Sequence, residues 1–260
     1  MVGQYQRCLA TGNSFHSLHY GYLRGVTAIW EVVRTTCTAL WTCLQPVFVA
    51  EKNEEDWLSI ADEFNHRTNF PNCIGAVDGK LIRMCKPDGS DSEFFNYKSY
   101  FSTVLLALVD ADYKFVATEV GASGSSSDSN ILSSPIYTRG PYPHRNLSIA
   151  KRIFNYSLTR ARRMVECTFG ILCNKRRVFH CAIDLHPDFA DIVVKACCVL
   201  HSYVRARDWI RFEDTLHECP PENTESLGTR STFRGTGVRE YFTKYFISSQ
   251  GCLPWQYDKV

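Results

Sequence analysis

With 260 residues, 45% hydrophobic and 22% charged, the chain has the composition of a folded protein with a sizeable core, which excludes a disordered or low-complexity one. A formal charge of +2 excludes a globally basic or acidic protein, so any polyanion footprint must be local. Twelve scattered cysteines without a CxxC pair, no apolar run of membrane-spanning length and no apolar signal core at Met1–Arg7 argue against a disulfide scaffold, a cysteine zinc site and a membrane protein, and predict an intracellular protein with reduced thiols.

Taken in chain order, Ser14 caps a predicted helix to Leu23, and Gly25 offers a turn. Val26, Ile29, Val33, Cys37 and Leu40 then recur at helical spacing to about residue 44. Two helices around a tight glycine turn suit a helix-turn-helix and equally a plain helical hairpin. A further helix is expected over Glu54 to Arg67. The chain then changes character. Cys73–Val77, Phe101–Val109 and Lys114–Val120 read as strands, the last two joined by the turn Asp110-Ala111-Asp112. Phe101–Val109 is apolar on both faces, as a central covered strand would be. Gly121–Ser129 is rich in Gly and Ser, and Ser127 or Asp128 would cap a helix starting at Asn130. A long helix is expected from Ser148 to about Cys173, with Leu158, Ala161, Val165, Phe169 and Leu172 on one stripe. A strand is predicted over Arg177–Ile183 and an apolar helix over Pro187–Tyr203. A polar, loop-like tail follows, ending in the aromatic stretch Tyr241–Phe246 and in Leu253-Pro254-Trp255-Gln256.

Charge is concentrated between Lys151 and Arg177. Eight basic residues (Lys151, Arg152, Arg160, Arg162, Arg163, Lys175, Arg176 and Arg177) accompany one acid, Glu166. Such a stretch is either a nucleic-acid footprint or a solvated helix face. Two carboxylates stand out. Asp78 follows the apolar run Ile74–Val77. It is placed to hold a hard cation at a strand end, or with Gly79 to form a hairpin turn. Glu166 lies beside the apolar stripe of a basic helix, as a cation ligand or as an ion pair with Arg162 or Arg163. The Arg-before-Glu order is the less favourable one for such a pair. Two carboxylates without a His/Cys set suit magnesium or manganese and phosphodiester hydrolysis, which usually takes a third carboxylate.

These residues form part of a longer series. Asn69–Lys80, Phe95-Asn96-Tyr97-Lys98, Phe101-Ser102 to Asp110-Ala111 and Val120-Gly121 through Ser127-Asp128-Ser129 come first. Pro141-Tyr142-Pro143, Phe154-Asn155-Tyr156, Arg160–Arg163, Glu166 with Phe169–Leu172, Leu200–Tyr203 and Pro254-Trp255-Gln256 complete it. In this order the series resembles the nuclease domain of the PIF/Harbinger transposase-derived family. The resemblance implies an α/β, RNase H-like (DDE transposase/integrase-type) mixed sheet flanked by helices, behind an N-terminal helical segment. It implies Asp78 and Glu166 as catalytic, metal-holding carboxylates, and magnesium or manganese as cofactor. DNA is the implied substrate, with Arg160, Arg162, Arg163, Lys175 and Arg176 as its contacts. It further implies a nuclear location, beside a possible cytoplasmic one, and a Myb/SANT-like partner protein.

The chain also departs from the family pattern. A strand carrying Gly-Asp belongs between the Ser127-Asp128-Ser129 region and Pro141-Tyr142-Pro143. Here Thr138 and Arg139 alone separate Ser134-Pro135-Ile136-Tyr137 from Gly140-Pro141, and no acid occurs between Asn130 and Glu166. Asp110, Asp112 and Asp128 are the nearby acids. The helix-turn-helix region also begins abruptly. The expected division is therefore 1–68 as a partial helix-turn-helix-like region, 69–205 as a nuclease domain shortened near 137–141, and 206–260 as a carboxyl-terminal tail. Three readings compete: a metal-dependent DNA endonuclease of transposase descent with impaired chemistry, a catalytically inactive DNA- or partner-binding protein of the same descent, and a shortened gene product that does not fold stably.

Overall fold

The structure is a computed structural model that describes residues 2–90, 92–123, 141–142, 147–207 and 233–260. Among these residues the chain forms seven α-helices, three β-strands and two short 3-10 turns.

The amino-terminal elements are α1 (Val2–Thr11), α2 (Phe15–Tyr22), α3 (Val26–Phe48) and α4 (Glu54–Thr68). Ser14 caps α2 by accepting the Ser17 N–H at 3.2 Å, and Leu23 ends it in the left-handed region. Ile29, Val33 and Cys37, spaced by four, are fully buried and seat α3 against the apolar helix α6 (Pro187–Arg207). The expected pair of helices around the Gly25 turn is therefore present, and the buried face of its second helix is committed to the core. Asn53 and Asp56 form a reciprocal capping box at the start of α4.

The sheet is antiparallel in the order β1 (Ala76–Arg83), β2 (Ser102–Val109), β3 (Phe115–Ser123). β2 is central, and Ser102–Leu105, Ala107 and Val109 are buried, as its apolar sequence predicts. Asp110 builds the β2–β3 turn: its Oδ1 accepts the N–H groups of Asp112 and Lys114 at 2.9 and 2.8 Å. The mixed sheet that was expected has no parallel strand among the described residues. Its nearest element is one parallel bridge between Met84 and Ile183. The strand predicted over Arg177–Ile183 is instead a 3-10 turn, Arg177–His180, followed by that bridge. The basic start of this segment directly follows the end of the long helix that closes at Lys175, so the chain turns before it can extend.

Helix α5 (Ile149–Lys175) runs alongside β1, and α6 runs alongside β3. The tail also helps build the core. Helix α7 (Phe233–Tyr245) places Phe242 against Phe70, and Phe246, just beyond it, packs on Phe70 and Phe154. The same hydrophobic cluster contains residues from the amino-terminal helices, the sheet, α5, α6 and the tail. Asp128 and the Ser127-Asp128-Ser129 motif lie outside the described residues.

Candidate functional site

Asp78 does not end a strand, and Asp78-Gly79 forms no turn. β1 begins at Ala76 and stays paired through Arg83, with Asp78 opposite Ala107 and Gly79 opposite Leu106. The change of direction comes earlier, at Gly75. Its φ of +152° admits glycine, and a Cβ there would lie 2.5 Å from Leu108 Cδ1. The period of two puts Asp78 and Lys80 on one face of β1, and that face meets α5.

From α5, Arg162 and Glu166 reach the same place. Arg162 Nη2 donates to Asp78 Oδ1 at 2.9 Å, and Arg162 Nε lies 3.8 Å from Glu166 Oε1. The arginine thus bridges both predicted carboxylates. All three side chains are part-buried, with Asp78 22%, Glu166 29% and Arg162 33% exposed. Water still screens the cluster, so the Asp78–Arg162 pair contributes on the order of 1 kcal/mol. The ion-pair reading of Glu166 is therefore realised, and in the sequence order that favours it less. One turn further along, Lys80 Nζ sits 5.7 Å from the centre of the Phe169 ring. It also faces the Cys173 thiol, which burial pushes up and Lys80 pulls down. Sequence reasoning missed Lys80, although its place two residues after Asp78 on a strand was the available signal.

Among the described residues, no group of three or more His, Cys, Asp or Glu side chains is placed to hold a metal. Asp110 is occupied by its turn, and burial raises its pKa against the pull of Lys114. Asp112 is paired with Arg67 and Lys114. Neither joins Asp78 and Glu166 in a group able to hold a metal among the described residues. Two hard-oxygen donors with a guanidinium seated between them do not fit a two-ion site.

The predicted DNA-contacting residues divide. Arg160 stacks over Trp255, 4.8 Å from its centroid, and Arg162 is drawn into the carboxylate cluster. Arg163 and Lys175 are exposed, and Arg176 is half-buried. Other motifs act as anchors. Asn155 holds the Tyr142 backbone through both its amide atoms at 2.8 and 2.9 Å, and Gln256 donates to Phe246 O at 2.9 Å. His201, Ser202 and Arg205 of α6 bond the backbone of the β2–β3 turn and the start of β3 at Tyr113, Phe115 and Asp112. Burial drives the His201 pKa down to about 4.

A family model described as DDE superfamily endonuclease matches residues 77–140 and 133–202. The Bos taurus protein named Putative nuclease HARBI1 is 23% identical over 174 aligned positions, covering 55% of this chain and 49% of that protein. Its Rattus norvegicus counterpart is 25% identical over the same extent. The chain thus spans about half the length of the curated relatives it matches. Since 55% of 260 residues is about 143, about 31 of the 174 positions face gaps in this chain. No solved structure matches the chain.

Proposed function

We propose, from the premise that residues 77–202 belong to the DDE superfamily endonucleases, that this chain is a transposase-derived nuclease acting on DNA phosphodiesters with a divalent metal ion, its cleavage impaired in this form. The observation that carries the impairment is Arg162 bridging Asp78 and Glu166. A guanidinium between the two carboxylates neutralises the charge a magnesium or manganese ion would need. A shortened segment near 137–141 explains the absent third carboxylate. The overlap of the two matched spans at 133–140 supports a break in the family pattern there. An RNase H-like core, the division at residues 68 and 205, a nuclear location and a Myb/SANT-like partner belong to the same reading.

A second reading, a catalytically inactive DNA-binding protein of this descent, is favoured by the same arginine. The cluster is already electrostatically satisfied without a metal. Cleavage of duplex DNA with magnesium or manganese separates the two readings, with Asp78→Ala and Glu166→Ala as controls. Cutting abolished by both substitutions supports the nuclease. DNA binding by a folded protein that does not cut supports the inactive protein, and failure to bind or cut DNA overturns both.

A further inference from the structure

We propose that the cleft between the carboxyl-terminal ends of α5 and α6 is a phosphate-binding site that anchors the backbone of duplex DNA, separate from Asp78 and Glu166. The proposal deepens the DNA-acting reading above and rests on it.

Lys175, Arg176 and Arg205 line the cleft with His201, over an apolar wall of Ile171, Leu172 and Val204. Three cations and no carboxylate form its lining. Arg176 Nε is buried and has no hydrogen-bond partner among the described residues. A buried donor left unsatisfied costs about 1–3 kcal/mol, more for a charged group, so a turn of the guanidinium that brings Nε to a phosphate oxygen in the cleft relieves that cost. Arg205 is held in place by two hydrogen bonds to Asp112 O, at 3.1 and 2.9 Å, and by stacking over Tyr113. Those bonds occupy part of a five-donor fork and leave its charge without a carboxylate partner among the described residues.

The two remaining influences are smaller. The ends of α5 and α6 each present roughly half a negative charge, which three full cations outweigh. His201 contributes no charge near neutral pH, because its ring is buried and donates toward Tyr113 O at 2.7 Å.

Position favours a polymer over a free anion. Nine residues separate Glu166 from Lys175, two and a half helical turns. The cleft therefore opens on the opposite flank of α5, roughly 14 Å along its axis from Glu166. Arg163 is exposed, and its helical position lies between these flanks. A duplex crossing α5 would meet the carboxylate cluster on one flank and the cleft on the other. The axial component alone corresponds to about four nucleotides at 3.4 Å each, and the width of the helix adds to it.

The test is duplex binding by fluorescence anisotropy across a salt series, for the full chain, Arg176→Gln and Arg205→Gln, with circular dichroism to verify folding. A second arm measures thermal stabilisation by inorganic phosphate. Each substitution should weaken duplex binding about five- to tenfold near 0.1 M salt. Each should also flatten the slope of log K against log salt by about 0.9 for one lost phosphate contact. Arg176→Gln should abolish stabilisation by phosphate. The wild-type slope should match at pH 5.5 and 7.5. Duplex binding with an unchanged slope in both folded variants overturns the site and leaves the DNA reading standing. Phosphate stabilisation lost in Arg176→Gln, with no duplex binding by the wild type, overturns the DNA assignment and leaves only an anion site.

Discussion

Arg162 is the residue on which the chemistry of the candidate site turns, because it lies within ion-pair reach of both Asp78 and Glu166. Arg162→Gln removes the cation that reaches both carboxylates. The pair with Asp78 is part-exposed, so a double-mutant cycle of Arg162→Gln with Asp78→Asn in urea should give a coupling of about 0.5–1 kcal/mol. A coupling of zero would mean the bridge is absent in solution. His201 gives a separate prediction. Its pKa falls to about 4 in the fold, while an unfolded histidine sits near 6.5. Below pH 6.5 the unfolded chain therefore takes up a proton that the folded chain refuses. Stability should fall between pH 6.5 and about 4, by roughly 3 kcal/mol at most, and level off below. His201→Gln should be less stable at pH 7 and lack that component of the acid slope. A variant whose denaturation midpoint tracks the wild type across this window would sink the assignment.

At the scale of elements, the sequence was most legible where one local signal dominated. The capped start at Ser14, the four-residue spacing of Ile29, Val33 and Cys37, and the apolar run of β2 each determine their element locally. Asp78-Gly79 misled because a turn signal competes with strand pairing, and the ladder from Ala76 to Arg83 wins through partners 19 to 33 residues away. The bridging position of Arg162 was likewise hidden, since the partner is separated from Asp78 by 84 residues. Asn155 shows how a residue of the family series can be mechanical. Asn155→Ala removes both bonds to the Tyr142 backbone and strands a buried N–H and C=O. The expected loss is about 2–4 kcal/mol, read as a lower denaturant midpoint at unchanged m. Gly75→Ala should cost at least about 2 kcal/mol, through positive φ and the clash with Leu108. Adding Leu108→Ala should recover less than half, because the backbone conformation stays strained.

Across the whole molecule, the carboxyl-terminal segment lies beyond the residues the family model matches yet closes their core. Phe242 and Phe246 are buried at 7% and 1% exposure, and Phe246 touches Phe70 ahead of β1 and Phe154 on α5. Gln256 and Trp255 then bind this segment to Phe246 and to Arg160 of the helix that carries Glu166. The position of Glu166 relative to Asp78 thus depends on residues some eighty positions later in the chain. Phe246→Ala should cost about 3–5 kcal/mol, the range for emptying a buried aromatic site. Truncation after residue 232 removes both phenylalanines and the Gln256 bonds together, a loss comparable to the ~5–15 kcal/mol that holds an ordinary domain folded. The truncated chain should show no cooperative thermal transition, whereas Trp255→Ala, which removes one stacked ring at 36% exposure, should keep the transition and lower its midpoint by only a few degrees. A truncated chain that melts at the wild-type midpoint would make the tail a separate unit, and Asp78 and Glu166 would then be held together by α5 and β1 alone.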